Sequence, residues 1–441
     1  MEKYYFIQTF VCQMNIHDSE KIAGMLSDLG YKETQDKTMA SVIVFNTCCI
    51  RESAELKIMA KIGDVKALKK INKDLIVIVC GCMTQQKGMP ENIKKKFPFV
   101  NIIMGTHNLE ELRDYIVRYH NTKKSIIDVW ESEKQIVENN LVYRTSNYNA
   151  WVNIMYGCNN FCTYCIVPYV RGRERSRKVE DIVKEVKALV ETKKYKFVTL
   201  LGQNVNSYGN DFNDGKTNFV HLLNELCKLE GDFKIKFMTS HPKDFSPELI
   251  EFIATNKKMS KSIHLPVQSG SNAVLKAMNR RYTIEHYKSL VDEIYKKIPD
   301  ATLTTDIIVG FPGETDEDFE QTCSLLEYVK YSGVFGFVYS KRKGTPAEKF
   351  ENQIPLSIKR QRITKLFEIE RKISSDNLVA MINKKFEVLV EEETNTSFIA
   401  KTDGGKTIKI EKEDNKEISC GNFYNVLVTG VVKKQLIGKI I

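Results

Sequence analysis

Three cysteines stand close together in the segment Cys158-Asn159-Asn160-Phe161-Cys162-Thr163-Tyr164-Cys165. This C-x3-C-x2-C spacing gives one short loop three thiolates, which can converge on a metal centre. A structural zinc site requires a fourth protein ligand, and no nearby histidine or cysteine supplies one. A cubane iron–sulfur cluster held by three thiolates instead keeps one iron open to an exogenous ligand. The spacing therefore favours a [4Fe-4S] cluster on Cys158, Cys162 and Cys165 over zinc or unconnected thiols.

Three further cysteines each follow an apolar run that predicts a buried strand. They are Cys12 after residues 4–10, Cys48 after residues 41–45 and Cys82 after residues 75–79. The carboxyl ends of parallel strands meet at one edge of an open sheet, where ligands bind. The placement predicts a second metal site on these three thiols, with ordinary buried thiols in a sheet as the alternative.

The elements that would position these cysteines alternate along residues 1–121. Helical periodicity covers residues 18–29, 52–70 and 109–119, and a fourth buried strand is predicted at residues 100–104. This alternation predicts a doubly wound α/β domain with a parallel sheet. Residues 122–146 are polar and rich in lysine, glutamate and asparagine, which predicts a linker.

Residues 147–375 continue the alternation with a longer repeat. Six apolar runs separated by helical segments predict strands at residues 151–156, 197–202, 235–239, 262–266, 301–309 and 333–339. Six such repeats predict a partial (β/α)6 barrel of the TIM type, in which chemistry gathers in the loops that follow the strands. A charged helix is predicted at residues 359–381, and the C-terminal part, residues 376–441, predicts a small all-β barrel.

Composition and charge narrow the class of protein. The 441 residues are 42% hydrophobic and 28% charged, which excludes a disordered, collagenous or coiled-coil chain. The 66 Lys and Arg residues exceed the 56 Asp and Glu residues, and the net charge of +10 favours a polyanionic partner.

No apolar stretch has transmembrane length and no signal-peptide pattern occurs, so we expect a cytoplasmic protein without membrane contact. Eleven cysteines in that compartment indicate metal or redox chemistry rather than disulfides.

The cysteine loop, with Tyr164 before its last cysteine, resembles that of the radical S-adenosylmethionine (SAM) enzymes. Other segments resemble the methylthiotransferases and, within them, the tRNA 2-methylthio-N6-dimethylallyladenosine synthases. The matching segments are residues 9–15, 46–52, 81–83, 157–177, 201–208, 264–270 and 306–314. The C-terminal part is similar to the TRAM module of RNA-modifying enzymes. The forms Cys-Gln-Met-Asn at 12–15 and Asn-Thr-Cys-Cys-Ile-Arg-Glu at 46–52 favour the isopentenyl-adenosine branch.

The resemblance implies an activity on an unactivated aromatic carbon, namely carbon 2 of N6-isopentenyladenosine at position 37 of tRNA. It implies that SAM binds the open iron of the Cys158/Cys162/Cys165 cluster and is cleaved to a 5′-deoxyadenosyl radical. A second [4Fe-4S] cluster on Cys12, Cys48 and Cys82 would deliver sulfur, and a further SAM would methylate it, giving two SAM per turnover. No side chain is expected to act as a catalytic acid or base.

For SAM itself, the candidates are polar groups in loops after barrel strands, with satisfied structural polar residues as the alternative. They are Gln203, Asn204, Gln268, Asp306 and Gly310.

For RNA, the candidates form a basic run beside the cluster loop, since arginine forks suit phosphates. They are Arg171, Arg173, Arg175, Arg177 and Lys178, with a solvated charged face as the alternative. The expected partners are an anticodon stem-loop carrying isopentenyladenosine, an electron donor and a sulfur donor, and we expect a monomer.

Two departures from the family pattern accompany the second group of cysteines. Val11 stands where the family usually has glycine, and Cys49 and Cys80 stand where other small residues are usual. Each of these two cysteines could pack as filler, replace a ligand or carry a persulfide.

The sequence leaves two alternative functions open. One is a radical SAM enzyme whose N-terminal cluster is structural or relays electrons, and the other is a non-catalytic RNA-binding metalloprotein.

Overall fold

The computed structural model describes residues 2–10, 13–49, 52–131, 142–144, 146–412 and 417–441. The chain divides into two compact units, the first comprising residues 1–145, 155–177 and 340–348 and the second residues 146–154, 178–339 and 349–441. Within the described residues, no helix is long and apolar enough to cross a membrane.

Helices and strands follow the predicted alternation. The helices are α1 Gln13–Asp28, α2 Glu52–Asp64, α3 Lys66–Ile71, α4 Met89–Lys96, α5 Leu112–Thr122, α6 Val167–Val170, α7 Val179–Glu191, α8 Phe219–Cys227, α9 Pro247–Thr255, α10 Asn272–Ala277, α11 Ile284–Lys297, α12 Asp316–Val329 and α13 Leu356–Val379. The strands are β1 Lys3–Thr9, β2 Tyr31–Glu33, β3 Val42–Thr47, β4 Ile76–Gly81, β5 Ile102–Met104, β6 Ile126–Asp128, β7 Asn149–Asn153, β8 Met155–Tyr156, β9 Arg175–Ser176, β10 Phe197–Leu201, β11 Lys234–Phe237, β12 Ser262–His264, β13 Thr302–Val309, β14 Gly333–Val338, β15 Lys385–Glu393, β16 Ser397–Thr402, β17 Thr407–Glu411, β18 Phe423–Val432 and β19 Gln435–Ile440.

The first unit is built on a parallel sheet with the strand order β2-β1-β3-β4-β5-β6. Strands β3 and β4 are buried along their whole length, which explains their unbroken apolar runs. The doubly wound α/β fold is thereby confirmed. The sheet also contains β2 and β6, which the sequence analysis did not predict, and β6 lies within the predicted linker.

Two helical details differ from the sequence-based prediction. The helix predicted over residues 52–70 is divided into α2 and α3, and α2 ends at Gly63 and Asp64, which are poor helix formers. Helix α4 was not predicted, although Pro90 in its first turn is a typical helix-start signal.

The second unit contains six parallel strands in sequential order, as expected for a partial (β/α)6 barrel. They form two three-stranded sheets, β7-β10-β11 and β12-β13-β14. A single bridge between Ile235 and Met259 leads from β11 toward the second of these sheets. Strands β15 to β19 close into the predicted small barrel around a core of its own.

The small barrel packs on the (β/α)6 core through the turn after β16. The Asp403 carboxylate accepts hydrogen bonds from Ser260 Oγ at 2.7 Å and from the Lys261 backbone N–H at 2.6 Å. Lys236 Nζ donates to the Asp403 backbone carbonyl at 3.1 Å. The neighbouring Gly404 is required, because a Cβ there would lie 2.5 Å from Thr302 Oγ1.

We predict that Asp403→Ala weakens this packing by about 1–3 kcal/mol, the usual cost of leaving such hydrogen-bond donors without an acceptor. Amide hydrogen exchange should then accelerate at Lys261 and along residues 397–407. Asp300→Ala is the matched control, because Asp300 also binds Lys261 but at its side-chain Nζ rather than at its backbone N–H. Equal exchange in both variants would contradict this role of Asp403.

Candidate functional site

Two of the N-terminal cysteines meet at the carboxyl edge of the first sheet. Cys48 follows β3 and Cys82 follows β4, and these neighbouring strands pair with Thr47 opposite Gly81. The Cys82 backbone N–H donates to the Thr47 carbonyl at 3.0 Å. Both thiols are buried, with 4% of Cys48 and 7% of Cys82 exposed. The strand register thus brings these two predicted ligands to one place.

Gly81 permits this close approach. Its φ of +97° lies in the left-handed region, and a Cβ would stand 2.4 Å from the Thr47 carbonyl oxygen. No other residue type tolerates both the dihedral angle and the contact.

The third predicted ligand, Cys12, lies outside the described residues, but the chain on both sides of it reaches the same edge. The Phe10 backbone N–H donates to the Asn46 carbonyl at 3.0 Å, beside Thr47. At the start of α1, Asn15 Nδ2 donates to the carbonyls of Phe10 at 2.9 Å and Thr47 at 3.0 Å. Asn15 therefore ties the start of α1 to Phe10 and to the end of the strand that precedes Cys48.

Cys80 and Cys49 occupy different environments. Cys80 lies within β4, packs in the apolar core with Ile76 and Ile78, and directs its thiol to the Phe45 carbonyl at 3.7 Å. Burial raises the pKa of the Cys80 thiol far above its ordinary value. This environment fits core filler. Cys49, in contrast, directs its thiol to Cys82.

The Cys82 sulfur is surrounded by hydrogen-bond donors. The Cys49 thiol and, in addition, the Arg171 guanidinium lower the pKa of Cys82 to about 6, against the opposing effect of burial. Arg171 Nε donates to Cys82 Sγ at 3.2 Å. A thiolate at this position is therefore stabilised in neutral solution, as a metal ligand requires.

The loop with the other three cysteines is closed at its base by a small antiparallel pair. In this pair, β8 and β9 place Met155 opposite Ser176 and Tyr156 opposite Arg175. The Cys158 backbone N–H then donates to the Gly172 carbonyl at 3.1 Å. Gly157 has a φ of +77°, and a Cβ there would lie 1.9 Å from the Arg173 carbonyl oxygen.

Polar groups within this loop hold its shape. Asn159 and Glu174 bind each other reciprocally, since the Asn159 backbone N–H donates to Glu174 Oε1 at 3.1 Å and the Glu174 backbone N–H donates to Asn159 Oδ1 at 3.3 Å. The Cys165 backbone N–H donates to the Cys162 carbonyl at 2.9 Å and tightens the turn between them. The Thr163 carbonyl accepts from the Ala347 N–H at 2.9 Å, so residues 340–348 support the loop.

The donor set fits an iron–sulfur cluster. Burial raises the pKa of Cys158 to about 11, and the opposing donors are the backbone N–H and side-chain amide of Asn160, the latter 3.5 Å from Cys158 Sγ. Amide donors aimed at sulfur are typical of cluster ligands. No three His, Cys, Asp or Glu side chains of the described ranges are arranged to hold a single metal ion. A cubane requires a wider arrangement, because each thiolate binds a different iron.

The basic run after this loop divides into buried and exposed members. Arg171 and Arg177 are buried, with 5% and 4% exposed. Because neither guanidinium faces solvent, neither is suited to contact a phosphate in this conformation. Arg173 is exposed and lies over the Phe161 ring at 4.3 Å, and Lys178 is also exposed. Arg175 is half-buried beside Tyr156.

In the second unit, two of the predicted SAM residues follow β10. Gln203 is half-buried, whereas Asn204 is buried and donates from Nδ2 to Asp244 Oδ2 at 2.8 Å. Three buried polar atoms at the ends of β10 and β11 have no hydrogen-bond partner in the described part of the chain: Asn204 Oδ1, Asn206 Nδ2 and Ser240 Oγ. Such atoms suit a polar ligand. Asn206 and Ser240 were not among the predicted residues.

The remaining SAM candidates lie on β12–β13 and the turn that follows. Gln268 has a φ of +71° and pairs through its backbone with β13, and Asp306 Oδ2 stands 3.5 Å from His264 Nε2. At Gly310, both carboxylate oxygens of Glu314 accept the backbone N–H, at 3.0 and 3.1 Å. That amide is therefore not available to a cofactor, and Gly310 serves as a turn.

Two family models match the chain. The Radical SAM superfamily model covers residues 152–326, and the model named Uncharacterized protein family UPF0004 covers residues 4–105. A curated relative from Clostridium tetani (strain Massachusetts / E88), named tRNA-2-methylthio-N(6)-dimethylallyladenosine synthase, is 50% identical over 439 residues, which are 99% of this chain and 96% of the relative. A relative of the same name from Acetivibrio thermocellus is 46% identical over 443 residues, covering 100% of this chain and 91% of the relative.

Solved structures agree on the fold. The radical S-adenosylmethionine methyltransferase TsrM from Kitasatospora setae, with cobalamin and a [4Fe-4S] cluster bound, superposes with a TM-score of 0.56 at 11% identity, over 79% of this chain and 74% of that chain. Fold, cysteine loop and family model together define the class of radical SAM enzymes, which use a [4Fe-4S] cluster and SAM. By its identity to curated relatives over nearly its whole length, the chain belongs to the family of tRNA-2-methylthio-N(6)-dimethylallyladenosine synthases.

We predict that Gly157→Ala disrupts the cysteine loop and abolishes the iron bound there, roughly half of the ~8 iron atoms that two cubane clusters contain. The cause is the overlap with the Arg173 carbonyl in addition to the strained φ. Gly88→Ala is the control, because Gly88 has a similar φ of +76° but open space around the Cβ position. Iron and acid-labile sulfide are measured after anaerobic reconstitution. Equal iron in both variants would contradict the role of Gly157.

Proposed function

We propose that this chain is a tRNA methylthiotransferase that inserts sulfur and a methyl group at carbon 2 of N6-isopentenyladenosine at position 37, giving 2-methylthio-N6-isopentenyladenosine. The identity of 46–50% to curated synthases over nearly the whole chain carries this proposal. The cysteine loop beside the buried Cys48–Cys82 edge supports it, because the reaction needs both a radical source and a sulfur source.

We propose two [4Fe-4S] clusters, each held by three thiols. Cys158, Cys162 and Cys165 would hold the first, and Cys12, Cys48 and Cys82 the second. When bound, the clusters and SAM supply the homolytic chemistry and the sulfur that an unactivated aromatic C–H requires, with two SAM per turnover. We assign no side chain as a catalytic acid or base.

The protein contributes position and exclusion of water. The β8–β9 pair and the Asn159–Glu174 contact hold the first three thiols in one loop. The β3–β4 register holds Cys48 and Cys82 side by side in a buried edge. A dry, fixed arrangement of this kind limits side reactions of a reactive intermediate.

For SAM, Gln203, Asn204, Gln268 and Asp306 remain the proposed contacts. The unpartnered Asn204 Oδ1 supports its assignment, and the same observation adds Asn206 and Ser240 as proposed polar contacts. Asp306 and His264 form a charged and polar pair on the barrel strands that could orient a zwitterionic ligand.

For RNA, the proposed contacts are Arg173, Arg175 and Lys178, which follow the cysteine loop in the chain. Sequence-specific recognition of RNA generally targets unpaired loops, so an anticodon loop is the proposed binding region.

We propose three domains and a linker. Residues 1–121 form the sulfur-inserting domain, residues 122–146 the linker, residues 147–375 the radical SAM core and residues 376–441 an RNA-binding module. An electron donor and a sulfur donor are required, and a monomer is sufficient.

The two groups of cysteines are expected to have separable functions. Cys48→Ala should still cleave SAM to 5′-deoxyadenosine under reduction but lose sulfur insertion, whereas Cys162→Ala should lose both. Chromatography with mass spectrometry quantifies both products. Full methylthiolation by Cys48→Ala would contradict the assignment of the second cluster. Cys227→Ala serves as the control, because Cys227 is a half-buried cysteine at the end of α8 in the second unit.

Substrate choice tests the branch of the family. Burying the isopentenyl group could contribute up to ~4 kcal/mol, or roughly a thousandfold, at about 0.8 kcal/mol per buried carbon group. We therefore expect strong preference for an isopentenylated anticodon stem-loop over threonylcarbamoylated and unmodified ones in side-by-side turnover. Equal turnover on all three would overturn the branch assignment, and sulfur on a ribosomal protein alone would overturn the RNA assignment.

Salt dependence tests the arginine contacts. Arg173→Gln should reduce the slope of log affinity against log salt by about 0.7, the loss of one phosphate contact on a single strand. Arg113→Gln is the matched control, since Arg113 is an exposed arginine of the parallel-sheet domain. Binding of the stem-loop is followed by fluorescence anisotropy. An unchanged slope for Arg173→Gln would remove it from the interface.

A further inference from the structure

We propose that Arg171 is a positioning residue that joins the two cluster sites and donates a hydrogen bond to the sulfur of Cys82. This inference rests on the proposed function, because it takes Cys82 as a ligand of the second cluster. It assigns Arg171, one of the two buried arginines of the basic run, a role toward that cluster rather than toward RNA.

The guanidinium of Arg171 has three described partners from two elements. Nε donates to Cys82 Sγ at 3.2 Å, and Nη2 donates to Asn15 Oδ1 at 3.0 Å and to Asp18 Oδ2 at 2.8 Å. Asn15 and Asp18 lie on α1, directly after the Cys12 segment, and Cys82 follows β4. One planar group therefore joins the first turns of α1 to the sulfur of Cys82.

The backbone beside Arg171 belongs to the other site. The next residue, Gly172, accepts the hydrogen bond from the Cys158 backbone N–H at 3.1 Å. The connection from Cys158 to Cys82 thus consists of one backbone hydrogen bond, one peptide link, the Arg171 side chain and the hydrogen bond from that side chain to the Cys82 sulfur. Since the guanidinium is rigid and bound at several points, it can hold a fixed separation between the two sites.

Burial and charge make this contact more than a surface ion pair. Arg171 is 5% exposed and Asp18 is 7% exposed, so the pair is desolvated on both sides. Removing only one partner of such a pair leaves an uncompensated buried charge. A neutral filler would satisfy packing alone, whereas an arginine at this place adds an N–H donor at sulfur. Hydrogen bonds to cluster sulfurs are one of the means by which a protein sets the reduction potential.

The reduction potential of the second cluster tests this role without relying on turnover. In full-length protein carrying Cys158→Ala, Cys162→Ala and Cys165→Ala, only the second cluster can be reconstituted. Its midpoint potential is measured by redox titration with electron paramagnetic resonance. Arg171→Met combined with Asp18→Asn removes the ion pair as a unit, leaving the net charge unchanged, and should shift the potential to a more negative value. Arg171→Lys keeps the positive charge but lacks the Nε donor, and it should also shift the midpoint potential to a more negative value.

The matched control is Arg113→Met combined with Asp28→Asn, a pair whose Nη1–Oδ2 distance is also 2.8 Å but whose side chains are 56% and 37% exposed. It should leave the potential unchanged. If the double variant at Arg171 does not fold, Arg171→Lys decides the question, since it leaves Asp18 a cation.

The outcomes distinguish this inference from the function on which it rests. Absence of any cluster in the triple-alanine background would contradict the second cluster itself, and with it this role of Arg171. A normal cluster whose potential is the same in all variants would overturn the role of Arg171 alone. A more negative potential in both Arg171 variants, with the control unchanged, would establish it.

Discussion

The parallel pairing of β3 with β4 is the constraint on which the position of Cys48 and Cys82 depends. With Thr47 opposite Gly81, the residues that follow each strand, Cys48 and Cys82, emerge together at the carboxyl edge. A slip of one residue in this register would turn buried side chains to the opposite face and separate the two thiols. The full burial of both strands makes such a slip costly. The apolar core of the sheet therefore also determines where the two thiols lie.

From this edge, the arrangement extends through a few polar contacts. Asn15 fastens the segment before α1 to the end of β3, and Arg171 connects the same helix to Cys82. The cysteine loop is attached to the same arginine segment through the Gly172 carbonyl. The contacts of Asn15 with Thr47 and of Arg171 with Cys82 are buried, so they gain strength from a low local dielectric, and removing one partner is costly.

Much of the architecture follows from sequence patterns, because apolar periodicity reports which faces are buried. The parallel sheet, the six barrel strands and the C-terminal barrel were all predicted in this way. Short elements such as β2 and β6 were not, since three residues carry too little periodic signal and their pairing is decided by neighbouring strands. The placement of Cys48 and Cys82 was predictable because both follow strong strands.

The polar details of the site were less predictable. The basic run from Arg171 to Lys178 has one composition but two environments, and only tertiary packing decides that Arg171 and Arg177 are buried. The sequence also does not reveal that the Glu314 carboxylate accepts the backbone N–H of Gly310. Asn206 and Ser240 become candidates only through their unpartnered buried atoms.

Mass spectrometry of tRNA nucleosides from cells with and without this chain shows most directly whether it is a methylthiotransferase. A methylthiotransferase of the isopentenyl branch should leave N6-isopentenyladenosine unconverted when the gene is deleted. The gene on a plasmid should restore 2-methylthio-N6-isopentenyladenosine, and a Cys162→Ala copy should not. Unchanged levels of the methylthiolated nucleoside after deletion, in cells with no second copy of the gene, would contradict the account.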